Sequence, residues 1–349
     1  MSPHQRVLLT GDQGYIGTVL TGVLLERGYE VIGLDTGYFA ECLLHPLDSR
    51  YRRITGDVRD VKAEDLAGVS AVVHLAALSN DPLGELAPNL TEEINRDATT
   101  RLAALAKQAG VARFVYASSQ SMYGVSTTDH ELDEDDSEKN AITAYARTKW
   151  QAELSLKDLG GPDFTVVCLR PSTVFGASPR LRCDIVFNNL VACAYTTGRI
   201  EIKSDGTPWR PVVHVRDVCS AFLAGLEAPA ALVAGRSYNV GIANGNFTVR
   251  DLAEAAGRAV PGATITYTGE DGKDARTYRV SFVRILSELS DWFHPAWDLD
   301  RGAAELVALF RDVGFTEAQF RGRDTVRLAQ LKHLISAEAI DATLRWRRE

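Results

Sequence analysis

Tyr145 and Lys149 stand four residues apart in a stretch, Ala144 to Leu156, whose apolar spacing predicts a helix. An i, i+4 pair shares one helical face, so the phenol and the ammonium become neighbours. A cation beside a phenol favours the phenolate and draws its pKa down from about 10, which lets a tyrosine serve as a base near neutral pH. Alone, Tyr-x-x-x-Lys is common and describes a solvated pair. Upstream, a predicted strand from Arg113 to Ala117 delivers Ser118 and Ser119 at its carboxyl end, where open α/β sheets bind their ligands. A hydroxyl there can hydrogen-bond a substrate oxygen beside Tyr145.

A second constellation, Thr10-Gly11-Asp12-Gln13-Gly14-Tyr15-Ile16-Gly17, closes a predicted strand and opens a predicted helix. Glycines at Gly11, Gly14 and Gly17 let the backbone turn tightly and approach a pyrophosphate, which then sits on the free N–H groups and positive dipole of the helix. Gln13, Tyr15 and Ile16 fall inside that loop. Asp35 ends the next strand, 24 residues after Gly11, where a carboxylate meets the ribose hydroxyls of NAD and repels the extra phosphate of NADP. Asp57-Val58 follows another strand and is placed to meet the adenine or simply to form a turn.

These residues need a scaffold that aligns strand ends. Short β-rich runs (Arg6 to Thr10, Val31 to Asp35, Tyr51 to Thr55, Ala71 to Leu75, Arg113 to Ala117, Thr165 to Leu169) alternate with helical patterns such as Ile16 to Arg27 and Glu92 to Ala109. That alternation predicts a Rossmann-type, doubly wound α/β fold with a parallel sheet buried on both faces. After Arg170-Pro171 loop signals multiply, so a smaller α/β lobe begins there. The helix Val218 to Leu226 and the strand Ser237 to Val240 are expected to return to the first sheet. The division is then residues 1–170 and 214–245 for the dinucleotide half, and 171–213 and 246–349 for the substrate lobe.

The 349 residues carry 38 basic and 46 acidic side chains, a net charge of −8, which removes any general attraction to nucleic acid or anionic lipid. The five cysteines form no Cys-x-x-Cys pair and no zinc spacing, so no metal is expected and a reducing cytoplasm fits best. No apolar run reaches the ~18 residues of a membrane span, and the first residues lack the pattern of a secretory signal. The acidic stretch Glu131 to Glu138 is expected to be a solvated loop.

Together these motifs resemble the extended short-chain dehydrogenase/reductase superfamily, and within it the NAD-dependent nucleotide-sugar epimerases and dehydratases. The resemblance rests on the glycine loop, Asp35, Gly56-Asp57-Val58, His74-Leu75-Ala76-Ala77, Asn95, Ser118 to Gly124, Tyr145/Lys149 and Leu169-Arg170-Pro171. It implies that Ser119, Tyr145 and Lys149 are the catalytic triad, with Tyr145 and Lys149 also touching the cofactor. It puts Leu75, Ala76, Ala77 and Asn95 around NAD, and Ser79, Ser119, Gln120, Ser121 and Thr173 around the sugar. Asn189 and Arg210 fall where the family holds the nucleotide diphosphate, and a guanidinium suits phosphate oxygens. Two departures stand out. Thr173 replaces the Asn of many epimerases, and a family arginine of the second lobe has only Arg276 as a stand-in. A homodimer through the helices Glu92 to Ala109 and Ala144 to Leu156 is implied as well.

The reaction class turns on two positions. By the resemblance, 4,6-dehydratases carry Asp-Glu directly after the residue aligned with Ser119, and proton-exchanging epimerases carry a Cys at Ser121. Here Gln120 and Ser121 supply neither a carboxylate nor a thiol. Simple 4-epimerisation asks least of such a site: hydride leaves the sugar carbon, a transient keto-sugar turns over, and hydride returns to the other face. The alternatives are a dehydratase recruiting Asp81 or Glu85 from the Ser79 to Glu85 loop, and a noncatalytic NAD-binding sensor.

Overall fold

The computed structural model describes residues 5–125, 130–269 and 277–347. Seven parallel strands form the main sheet: β1 (Arg6–Thr10), β2 (Glu30–Asp35), β3 (Arg52–Thr55), β4 (Ala71–His74), β5 (Arg113–Ala117), β6 (Thr165–Pro171) and, after three strands of the lobe, β10 (Arg236–Val240). Their order is β10-β6-β5-β4-β1-β2-β3, so the chain reverses direction between β1 and β4. That crevice, at the carboxyl ends of the strands, is where such sheets take ligands.

Alternation along each strand builds both faces of the core. Val7 and Leu9 of β1 join Val31 and Val73 on one face, while Leu8 joins Ile32 and Val72 on the other. All three β1 residues are fully buried, and truncating one of them to Ala would cost about 2–5 kcal/mol. The strand at Ser237 to Val240 does return to the first sheet, pairing Tyr238 with Leu169 in parallel register.

The lobe is built from β7 (Thr173–Phe175), β8 (Arg199–Ile202), β9 (Trp209–His214), β11 (Asn246–Thr248) and β12 (Thr264–Tyr267). They form a three-stranded sheet, β11-β9-β7, and a two-stranded one, β12-β8. Around them the helices Val186–Thr197, Val249–Ala259 and Leu299–Asp312 pack a separate core through Phe187, Leu252 and Phe310. The C-terminal tail does not stay with this lobe. Its helix Arg327–Ser336 and the residues after it send Leu331, Leu334, Ile340 and Leu344 into the core of the dinucleotide half. Among the described residues no helix is long and apolar enough to cross a membrane, and no group of three His, Cys, Asp or Glu side chains could hold a metal ion.

Candidate active site

The glycine loop is sterically exclusive. Gly11 has φ +78°, and a Cβ there would lie 2.9 Å from the Ala76 nitrogen; a Cβ on Gly17 would lie 2.0 Å from the Gly11 carbonyl. Gly14 caps the helix Tyr15–Glu26 without any side-chain hydrogen bond, leaving its first N–H groups to face the cleft. The Tyr15 phenol instead crosses to the lobe, donating to the Gly176 carbonyl at 2.8 Å and accepting from Asn188 at 3.2 Å. It ties the start of this helix to the segment after β7.

Two connected spaces open from this loop. The larger, about 430 Å³, runs from Gly11, Gly14, Tyr15, Ile16 and Gly17 past Leu75 and Ser79 to Ser119, Gln120, Ser121, Tyr145 and Lys149, then to Thr173 and Arg210 in the lobe. The smaller, about 100 Å³, is walled by Asp35, Asp57, Val58, Leu75, Ala76 and Ala77. The two spaces share Gly11, Gly14 and Leu75 as walls.

Asp35 accepts from the Gly37 nitrogen at 2.8 Å and from the Gln13 nitrogen at 3.3 Å, which is how Gln13 contributes without lining either space. Burial nevertheless raises its pKa, against those two hydrogen bonds. The Asp57 carboxylate is held by Arg59 at 2.7 Å, so what it offers the small pocket is its backbone and the apolar Val58. Asn95 lines neither space. It sits in a π-helical turn, Glu93–Asp97, and clamps both backbone groups of Leu78, accepting from the nitrogen at 2.8 Å and donating to the carbonyl at 3.1 Å. Its effect on the cleft is to fix the loop that carries Ser79.

The two serines after β5 divide their work. Ser118 donates to Glu153 at 2.6 Å and belongs to a buried structural network, whereas Ser119 faces the cleft, accepting from the Ser121 hydroxyl at 2.9 Å. Gln120, also on the cavity wall, donates its amide to the Arg170 carbonyl at 3.0 Å. Tyr145 rides on the helix Ala144–Leu159, which Thr143 caps by accepting from the Ala146 nitrogen at 3.1 Å.

Burial raises the Tyr145 pKa; the Ser119 hydroxyl pulls it back, Asp81 adds to the rise, and the cations that oppose it are Arg182 and Arg327. Lys149 lies one turn further along the same helix. Its ammonium donates to the Ala117 carbonyl at 2.7 Å and lies 4.8 Å from the centre of the Tyr116 ring, and burial pushes its pKa down to about 7.

Asn189 does not reach the larger space: its amide donates to the Cys183 carbonyl at 2.9 Å. Arg276 lies outside the described residues. Sequence reasoning missed Arg182 and Asp184, an ion pair at 2.8 Å, and Arg327, all of which wall the larger cavity. Arg180-Leu181-Arg182 stands between Ser178-Pro179 and Cys183-Asp184 and reads as an ordinary polar loop, so the sequence carried no signal of this burial. Asp81 also walls this cavity and accepts from Thr143 at 2.6 Å, whereas Glu85 is spent on the Ala144 nitrogen at the helix start.

Residues 7–241 match the model of the NAD dependent epimerase/dehydratase family. A UDP-glucose 4-epimerase from Mycolicibacterium smegmatis is 31% identical over 324 residues, 88% of this chain and 99% of the relative. A dTDP-glucose 4,6-dehydratase from Streptomyces griseus is 29% identical over 330 residues, 89% of this chain and 94% of the relative. Among solved structures, a dTDP-glucose 4,6-dehydratase from Streptomyces venezuelae with NAD bound is similar at TM-score 0.75 and 26% identity, covering 90% of this chain and 100% of that one. Relatives of both reaction classes therefore stand at comparable distance, and the side chains around Tyr145 have to separate them.

Proposed function

We propose that this chain, which belongs to the NAD dependent epimerase/dehydratase family, is a nucleotide-sugar 4-epimerase working through a transient keto-sugar. The observation that supports this reading is the wall opposite Tyr145. Ser121 is hydrogen-bonded to Ser119, and Gln120 is turned onto the Arg170 carbonyl, so neither position offers the acid and base that elimination across a neighbouring carbon requires. Bound NAD supplies the ring that accepts and returns hydride.

The residues then divide as follows. Tyr145 takes the proton of the sugar hydroxyl and later gives it back, and Ser119 orients that oxygen. Ser119, Arg182 and Arg327 each favour the phenolate against the cost of burial. Lys149 holds the nicotinamide ribose. Gly11, Gly14 and Gly17 admit the cofactor diphosphate, Asp35 takes the adenosine ribose, and Arg210 takes the diphosphate of the substrate. Pairing through the helices Ala98–Gln108 and Ala144–Leu159 belongs to the same proposal; Leu154 is exposed on the second, and sedimentation reports the state.

Asp81 favours a second reading, a dehydratase, because its carboxylate walls the cavity beside Tyr145. Turnover of an accepted nucleotide sugar in heavy water separates the two. An epimer of unchanged mass with no deuterium on carbon supports the epimerase; a product lighter by one water, or deuterium at the carbon next to the transient ketone, overturns it. Tyr145→Phe is expected to lower turnover by roughly 10²–10⁴-fold while keeping NAD bound.

A further inference from the structure

Three guanidiniums, Arg180, Arg182 and Arg327, are buried near one another, at 0%, 8% and 7% exposure. Each retains N–H groups with no hydrogen-bond partner: Nε and Nη2 of Arg180, Nη2 of Arg182 and Nε of Arg327. The negative charge nearby does not balance them. Asp184 is taken by Arg182, and Asp35 is turned onto the Gln13 and Gly37 nitrogens. A buried cation without a counter-charge is costly.

Arg327 has a particular place. It walls both the larger cavity and the smaller one, so it stands at the neck where the two meet. One of its nitrogens lies 3.5 Å from the point a Cβ on Gly14 would occupy, and another donates to the Ser79 hydroxyl. In a dinucleotide the part that passes through such a neck is the diphosphate.

We propose that Arg327, with Arg182 near it, joins the glycine loop in holding the diphosphate of the bound dinucleotide, so that the C-terminal tail closes over the cofactor. The inference rests on NAD as cofactor and not on which sugar reaction follows. The tail is built to hold such a clasp shut. Gln330 donates to the Tyr38 carbonyl at 2.9 Å, Trp346 donates to the Thr36 carbonyl at 2.6 Å, and the Tyr38 phenol donates to the Leu344 carbonyl. These bonds tie the tail to the segment that follows Asp35, and Leu331 of the same helix walls the adenosine pocket. A reaction that leaves its cofactor in the starting redox state has no need to exchange it, so a clasp of this kind costs no turnover.

Calorimetric titration of NAD-stripped protein with NAD⁺, ADP-ribose and adenosine tests this, because the first two carry the diphosphate and the third does not. Arg327→Ala is expected to weaken NAD⁺ and ADP-ribose alike by about 10- to 100-fold, to leave adenosine unchanged, and to speed NAD release. Arg327→Lys should recover part of the loss, retaining charge but not the fork. Equal weakening of all three ligands, or of none, overturns the proposal. Hydrogen exchange of the wild type gives a reading that needs no variant: residues 327–346 should gain protection on adding NAD⁺, and unchanged exchange there refutes the clasp. Wild-type protein that fails to bind NAD⁺ would remove the cofactor reading itself, whereas intact binding without sugar turnover would bear only on the reaction.

Discussion

Arg170 and Arg327 are both buried guanidiniums, yet their surroundings are opposites. Around Arg170 every donor nitrogen is used: Nε and Nη2 reach Glu153 at 3.1 and 2.5 Å, and Nη1 reaches the Tyr123 hydroxyl and the Glu134 carbonyl, both at 3.0 Å. Glu153 also accepts from Ser118 and Ser237, each at 2.6 Å. Burial alone would raise the Glu153 pKa, but Arg170 and the two hydroxyls hold it below the usual range. Arg327 sits among like charges, and burial together with Arg182 and Arg180 drives its pKa well below that of an ordinary arginine. A closed network of the first kind holds two elements together, whereas an open one of the second kind has bonding capacity left for something else.

The largest effect should come from breaking the closed network. Glu153→Ala strands Arg170 in the core and is expected to cost about 3–5 kcal/mol in urea unfolding, by the same amount with and without NAD. A double replacement, Glu153→Leu with Arg170→Met, should recover most of it, because the loss comes from an uncompensated charge and not from the missing contact. A decrement that disappeared on adding NAD would place this network in the cofactor site and dissolve the contrast.

Asp12 applies the rule to the opposite charge and should give a smaller effect. Its carboxylate accepts from Tyr51 at 2.8 Å through one oxygen, while the other is buried without a partner. Burial, with Asp35 nearby, pushes its pKa up to about 7 from 3.8. Between those two pH values the folded protein holds a proton that the unfolded chain has released. The Asp12 contribution to stability therefore falls as pH rises from about 4 to 7 and is level above. Asp12→Asn should remove that fall, leaving the variant more stable than wild type at pH 8, by at most ~4 kcal/mol, and equal to it near pH 4. Parallel stability curves for the two proteins would show that Asp12 is ionised in the fold.

The backbone that carries both arginines was largely legible in the sequence, and the partners of either arginine were not. Nearly continuous apolar runs announce strands buried on both faces, and the glycine spacing announces the turn after β1, because each is a local property of the backbone. Ser119 and Tyr145 follow from strand and helix ends. The helix expected from Glu92 to Ala109 is interrupted by the π turn at Glu93–Asp97, which a 3.6-residue period cannot reveal, and that turn lets Asn95 grip both polar groups of Leu78. Lys149 was readable as a neighbour of Tyr145, but not as a donor to the Ala117 carbonyl, since that depends on how β5 meets the helix. Arg327 was the least visible. Its approach to Gly14 joins nearly opposite ends of the chain, and within its own helix it reads as an ordinary basic residue.

The smallest expected effect is the sharpest test of the difference between the two arginines. Arg327→Met in NAD-free protein removes a bond to Ser79 and the approach of the cation to the Phe39 ring, 5.2 Å from its centre. It also removes a buried positive charge that, among the described residues, has no carboxylate within ion-pairing distance. These contributions oppose each other, and replacing an ill-compensated buried ion by an apolar chain of similar length is often neutral or stabilising. Unfolding of the NAD-free variant should therefore differ from wild type by less than about 1 kcal/mol, against several for Glu153→Ala. With NAD present the order reverses in kind: the wild type gains stability with the logarithm of the ratio of NAD concentration to Kd, and the Met variant, binding more weakly, gains less at the same NAD concentration. A NAD-free variant as damaged as Glu153→Ala would mean that Arg327 holds the tail in place by itself, as Arg170 holds its network, and the two arginines would then be one kind of residue.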